Sequence, residues 1–176
     1  MVPHRVADSA VTMERLVREA GLLHGLPAAI LRGGLLYHEE SSRTREMIAG
    51  LRAGSLPIVG MGANFWSMIH VEDMARACVL AAEAQPAGQA FLVVDDEPVR
   101  WRDLFTHLAR EVGGPRPHYV PPPLARCTLG GLTVDLLTAS LRCRNGKLKR
   151  QLDWQPRFPT YREGIAAILG SVAAMK

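Results

Sequence analysis

The run Phe91-Leu-Val-Val94 is apolar without a break and ends abruptly in Asp95-Asp96-Glu97-Pro98. A strand with one wet face would alternate apolar and polar residues. A run without alternation suits a strand covered on both faces, which calls for helices on both sides of a sheet. A second apolar run, Ala29 to Tyr37, is interrupted by Gly33 and Gly34. Glycines inside a strand pattern point to a bend or to a close approach of another backbone. Amphipathic segments separate the runs. Met13, Leu16, Val17 and Ala20 share one helical face behind a cap at Asp8 or Ser9. A helix over roughly 42–53 stops at Gly54, and a third places Met74, Ala77, Cys78 and Ala81 together. Trp101, Leu104, Phe105 and Leu108 line a fourth. The order of helices and strands is that of an α/β chain or an α+β mixture.

The C-terminal third is more helical. Leu124 to Leu141 suits a packed helix or two, and residues 147–152 a short basic helix. Thr160-x-x-Glu163 is a capping box before a last helix with Ile165, Ile168 and Leu169 on its face. Trp101 and Trp154 read as core anchors.

The 176 residues suffice for a single unit with its own core. No apolar run reaches the ~18 residues of a membrane span, and the N-terminus lacks an apolar signal core, so a cytoplasmic location and no membrane partner are expected. Three widely spaced cysteines, Cys78, Cys127 and Cys143, form neither a disulfide framework nor a zinc pattern, and no metal is expected. Cys78 is placed in the core. The formal charge of +4 owes much to Arg142, Arg144, Lys147, Lys149 and Arg150. Without interleaved aromatics this cluster reads as a solvated helix face, not a nucleic-acid surface.

In "FWSMIHVEDMARA", His70 precedes Glu72-Asp73 where an apolar run becomes a helix. Asp73 is expected to cap that helix, with Glu72 in its first turn. Asp95-Asp96-Glu97 is expected to be an exposed loop after a strand.

Four stretches, in order, resemble the extended short-chain dehydrogenase/reductase family, the NAD-dependent epimerases and dehydratases. "HGLPAAILRGGLLY" is similar to that family's "GLP..ILRPG.VYGPG". "WSMIHVEDMARACVLAAE", "FLVVDDEPVRWRDLFTHLAREVG" and "RNGKLKRQLDWQPRFPTYREGI" match its later motifs, from about residue 9 to 170. The resemblance implies a partial Rossmann-like, doubly wound fold: the last parallel strands plus the smaller C-terminal substrate lobe. The family's Gly-rich strand–turn–helix has no counterpart. Gly60-Met-Gly62 lies between extended pieces and opens no helix. The family's Tyr-x-x-x-Lys register falls on Val6 and Ala10, which cannot transfer a proton, so no catalytic residue is assigned.

By the same resemblance, Arg32, Gly33, Gly34 and Leu35 are candidate cofactor contacts, and Tyr37, Trp66 and His70 candidate substrate contacts. Arg32 is equally readable as a salt-bridge partner, and His70 as a buried histidine with its hydrogen bonds satisfied. Asn145 and Lys147 match a structural turn. Trp66 stands where sugar-nucleotide epimerases carry a diphosphate-binding arginine, and an indole cannot pair with a diphosphate. An uncharged or apolar small molecule is therefore expected as substrate. The implied cofactor is NAD or NADP, bound weakly or not at all by this chain alone. The implied activity of the complete protein is oxidoreduction or epimerisation of a carbonyl or hydroxyl compound. The alternative is a non-catalytic family member that binds a ligand or a protein. The N-terminal helix matches a family dimer helix, so homo-oligomerisation through it is expected.

Overall fold

The computed structural model describes residues 4–174, with side chains over 8–171. Helix α1 (His4–His24) leads into β1 (Ile30–Gly33) and β2 (Leu35–Tyr37), two strands made from one apolar run. The break is Gly34, where a Cβ would collide with the Ser67 carbonyl oxygen. Of the two readings of the Gly33-Gly34 interruption, close backbone approach is the one realised.

Then come α2 (Ser42–Ala53), β3 (Ile58–Val59), β4 (Phe65–Trp66), β5 (Met68–His70) and α3 (Val71–Ala84). Helix α2 ends at Gly54, whose φ of 68° is the left-handed stop that glycine supplies. The chain continues through β6 (Ala90–Val93), β7 (Val99–Arg100), α4 (Trp101–Glu111) and β8 (Tyr119–Val120). It finishes with α5 (Pro122–Leu129), α6 (Gly131–Thr138), α7 (Gly146–Leu152) and α8 (Tyr161–Ala174).

Three of the strand pairs are parallel and one is antiparallel. β1 pairs with β6 in the register Ile30↔Ala90 to Gly33↔Val93. β2 then pairs with β5, Tyr37 opposite His70. β3 lies beside β8, and β4 runs antiparallel to β7. The switch of partner occurs at Gly34, whose N–H donates to Val93 while the next N–H, of Leu35, donates to Ser67. The Asp95 N–H donates to Met68, so three chain segments converge on one spot.

Helices cover this spot. Tyr37, Leu51, Met68, Leu104, Ile165 and Ile168 bring α2, α4 and α8 into one buried cluster with β2 and β5. A second cluster packs α3 and α7 on β6 through Ile69, Ala77, Phe91, Leu148 and Trp154. Trp154 is fully buried and its indole donates to the Asp73 carbonyl at 3.1 Å. Trp101 is likewise buried, at the first position of α4. The capping box forms as expected: Thr160 N–H and Oγ1 both reach Glu163 Oε2, and Arg162 N–H donates to Thr160 Oγ1. The Thr160 hydroxyl most of all, then the backbone N–H groups of Glu163 and Thr160 and the Arg162 charge, hold the Glu163 carboxyl below its usual range, against the opposing effect of burial.

Several expectations need correction. Cys78 is exposed, because the buried stripe of α3 runs through Asp73, Ala77 and Ala81 and leaves position 78 at its edge. Asp73 is not the cap of α3: it sits three residues inside, and His70 is the cap, its Nδ1 accepting the Glu72 N–H at 3.3 Å. Asp95 is buried, only 2% exposed. Leu124, Leu129, Leu132 and Leu141 remain exposed although α5 and α6 pack on each other. On α1, Met13 and Leu16 are exposed, and Val17 and Ala20 half-buried. No described helix is long and apolar enough to cross a membrane.

Candidate functional site

The C-terminal ends of β2 and β5 place Tyr37 and His70 side by side. Both are buried, and their rings meet edge to face with centroids 5.3 Å apart. The Tyr37 hydroxyl donates to Asp95 Oδ2 at 3.3 Å and presses on the backbone of α8 at Gly164. Only glycine fits there, since a Cβ would run into the phenol oxygen. Burial, reinforced by the Asp95 carboxylate, pushes the Tyr37 phenol far above its ordinary range. It is therefore a fixed hydrogen-bond donor and no proton shuttle at neutral pH.

His70 is ringed by Tyr37, His38 and Phe158, with the Phe158 centroid 4.3 Å away. Burial lowers its pKa, so the ring is neutral near pH 7. Its Nδ1 is the acceptor that caps α3, which puts the proton on Nε2. That Nε2 is buried and has no hydrogen-bond partner. The reading of His70 as a fully satisfied structural histidine thus holds for one nitrogen only.

Asp95 extends the group. Burial pushes its carboxyl up to about 7; the Asp73, Asp96 and Glu163 carboxylates add to the rise, and the Tyr37 bond opposes it. Its Oδ1, like His70 Nε2, is buried without a partner. Asp73 contrasts with it. The Asp73 carboxylate accepts the backbone N–H groups of Arg157 and Phe158 at 2.6 and 2.9 Å.

The other candidates are dispersed. Arg32 makes two hydrogen bonds to Glu14, 2.7 and 2.6 Å, which fasten α1 to β1. Gly33 is exposed at the end of β1, and Leu35 is half-buried against the α2–α4–α8 cluster. Trp66 stacks on Trp101 at 4.3 Å, and its buried Nε1 is the third unpartnered polar side-chain atom among the described residues. Asn145 bonds to Val94 and Asp96, and Lys147 to Gln89 and Ala90. Those are structural roles, as expected. No described group of histidine, cysteine and carboxylate side chains has the arrangement of a metal site. Sequence reasoning missed Asp95 as a site residue. Its one signal was an acid following a fully apolar strand.

A dinucleotide needs a Gly-rich cradle opening a helix. The Gly60–Gly62 turn does not fit that role: it lies between β3 and β4, and a Cβ on Gly62 would meet Ile58 and Arg102. Gly34 is required by Ser67, which is a matter of strand packing. The described residues thus supply no pyrophosphate cradle. Ala10, in the register of the family lysine, is exposed on α1; the side chain of Val6 lies outside the described residues.

Comparison with known proteins places this geometry. A model of the NAD dependent epimerase/dehydratase family matches residues 7–93. A 3-diazoavenalumate denitrifying reductase from Streptomyces sp. is 36% identical over 155 residues, which are 87% of this chain and 49% of the reductase. A 3beta-hydroxysteroid-dehydrogenase/decarboxylase (isoform 1) from Arabidopsis thaliana is 27% identical over 195 residues, 93% of this chain and 44% of that protein. The chain thus spans about half the length of these relatives, or slightly less. A dTDP-glucose 4,6-dehydratase from Streptomyces venezuelae, solved with NAD bound, superposes with a TM-score of 0.66 at 22% identity, covering 89% of this chain and 47% of the dehydratase. That likeness shows the Rossmann-like fold.

Proposed function

Because the chain belongs to the NAD-dependent epimerase/dehydratase family, we propose that it supplies the substrate-binding part of an NAD(P)-dependent oxidoreductase. The substrate is an apolar carbonyl or hydroxyl compound and not a nucleotide sugar. The carrying observation is the cluster of unpartnered polar atoms, His70 Nε2 and Asp95 Oδ1, where β2, β5 and β6 end. Buried polar atoms without partners are rare, and in open α/β sheets ligands bind outside the carboxyl ends of the strands. Trp66 supports the apolar preference, since it offers a flat face and one N–H in the place of a guanidinium. The relative whose name specifies a hydroxysteroid points the same way.

The test is calorimetric titration of the chain with dTDP-glucose and with a 3-ketosteroid. The ketosteroid is expected to bind, dTDP-glucose to bind at least tenfold more weakly, and Trp66→Arg to narrow the gap. Tighter binding of dTDP-glucose by the unmodified chain would overturn the proposal.

A second reading, a binding module without hydride transfer, draws on Ala10 in the lysine register. It predicts ligand binding with no oxidation of NADH or NADPH, and any substrate-dependent loss of absorbance at the nicotinamide band contradicts it.

A further inference from the structure

We propose that Arg100 and Arg142, which flank the ring of Phe65, form an anion-recognising subsite that takes the oxyanion, a carboxylate or a phosphate, of an otherwise apolar substrate. The inference rests on the apolar-substrate reading above and refines it.

Phe65 opens β4, directly opposite Arg100 of β7. The Arg100 guanidinium lies 5.2 Å from the Phe65 centroid and that of Arg142 4.4 Å. The two charges therefore lie within about one Debye length of each other, ~8–10 Å. Neither guanidinium meets a carboxylate or makes a hydrogen bond among the described residues. Several other arginines pair with acids, as in Arg32–Glu14, Arg157–Glu72, Arg162–Glu97 and Arg126–Asp135, and several do not; Arg100 and Arg142 are set apart by sharing one aromatic ring. Two unpaired like charges gathered on one ring repel each other, and each cation–π contact returns only about 0.5–1 kcal/mol at an exposed site. An oxyanion beside the ring removes the repulsion and satisfies both forks.

The backbone beneath the arginines is fixed. The Leu141 N–H donates to the Phe65 carbonyl at 2.8 Å, and the Phe65 N–H donates to Ser140 Oγ at 3.0 Å. Ser67 Oγ donates to the Leu141 carbonyl and accepts the Cys143 N–H, so the residues on either side of Arg142 are laced to this strand. At position 100, the following residue, Trp101, donates its N–H to Asn64. The same Ser67 abuts Gly34 and accepts the Leu35 N–H. Phe65 thus stands two residues before Ser67, the residue that packs on Gly34.

The experiment is calorimetric titration of the full chain with cinnamate, phenyl phosphate and methyl cinnamate, in wild type, Arg100→Gln, Arg142→Gln and Trp66→Leu. All three ligands carry an aromatic body, and the ester lacks the charge. At least one anion is expected to bind tenfold or more tightly than the ester. Each arginine substitution is expected to weaken that anion about tenfold while leaving the ester unchanged. The tighter of the two anions identifies the oxyanion class. Ester binding as tight as that of both anions overturns the clamp, as does anion binding indifferent to both arginine substitutions. If ester binding is then lost in Trp66→Leu, the apolar-site reading stands without the clamp. If none of the three ligands binds wild type, both fall.

Discussion

Two buried aspartates near the ends of neighbouring strands are used in opposite ways. Asp73 is inaccessible to solvent, and both its oxygens accept backbone N–H groups from the 157–158 loop. Asp95 is 2% exposed, holds one hydroxyl at 3.3 Å and leaves its other oxygen unpartnered. One carboxylate fastens a loop to a helix. The other keeps unspent hydrogen-bonding capacity where three strands end. A buried acceptor without a donor costs stability, so its retention belongs with function and not with folding.

The largest expected effect is at Asp73. Asp73→Ala strands two backbone N–H groups in a tight junction and should cost about 3–5 kcal/mol in urea unfolding. A cost below about 1 kcal/mol would erase the contrast between the two residues.

Asp95 should show itself through pH. Its folded pKa of about 7 lies above the ordinary carboxylate value of 3.8, so the folded state holds a proton that the unfolded state has released. Stability therefore falls as pH rises from about 4 to 7, by at most ~1.4 kcal/mol per unit. Asp95→Asn imitates the neutral acid and should be about 2–3 kcal/mol more stable than wild type at pH 8, the gap closing toward pH 4. The lowered pKa of His70 works in the other direction, removing stability only as pH falls below about 6.5, and it cancels in the difference between the two proteins. Parallel pH–stability curves would refute the neutral-acid reading.

Tyr37→Phe deletes the single bond to Asp95 and should cost about 1 kcal/mol. Because that bond lowers the Asp95 pKa, the same variant should shift the Asp95 titration upward. The smallest effect is at Arg157. Its backbone, not its side chain, binds Asp73, and the side chain makes an exposed pair with Glu72 and lies 5.3 Å from the centroid of the Phe158 ring. Arg157→Ala should cost no more than about 0.5 kcal/mol.

Features governed by local geometry were legible in the sequence. The Gly54 stop and the Thr160–Glu163 capping box follow from φ and from cap chemistry, and the Gly33-Gly34 interruption, readable as a bend or a close approach, is a close approach at Gly34. The motif order led to the right family and fold. Features set by tertiary neighbours were hidden. In "IHVEDM" either Asp73 or His70 could begin the helix, and the choice depends on the 157–158 loop, far away in sequence, that claims the carboxylate. Asp95 carries the pattern of an exposed turn, and only the packing of Tyr37 and α8 over it makes it buried. Cys78 lies one position from Ala77, and a rotation of that size decides which of them faces the sheet. The cation–aromatic cluster at Phe65 joins residues 65, 100 and 142, a juxtaposition that no local pattern carries.

The most direct test of the strand-end site is the titration of the Asp95 carboxyl carbon by NMR in the full chain. A midpoint near pH 7 is expected for an acid that is buried, singly bonded and otherwise unpaired. A midpoint near 4 would mean a solvated or fully bonded carboxylate, and the site would lose the open acceptor on which its assignment rests.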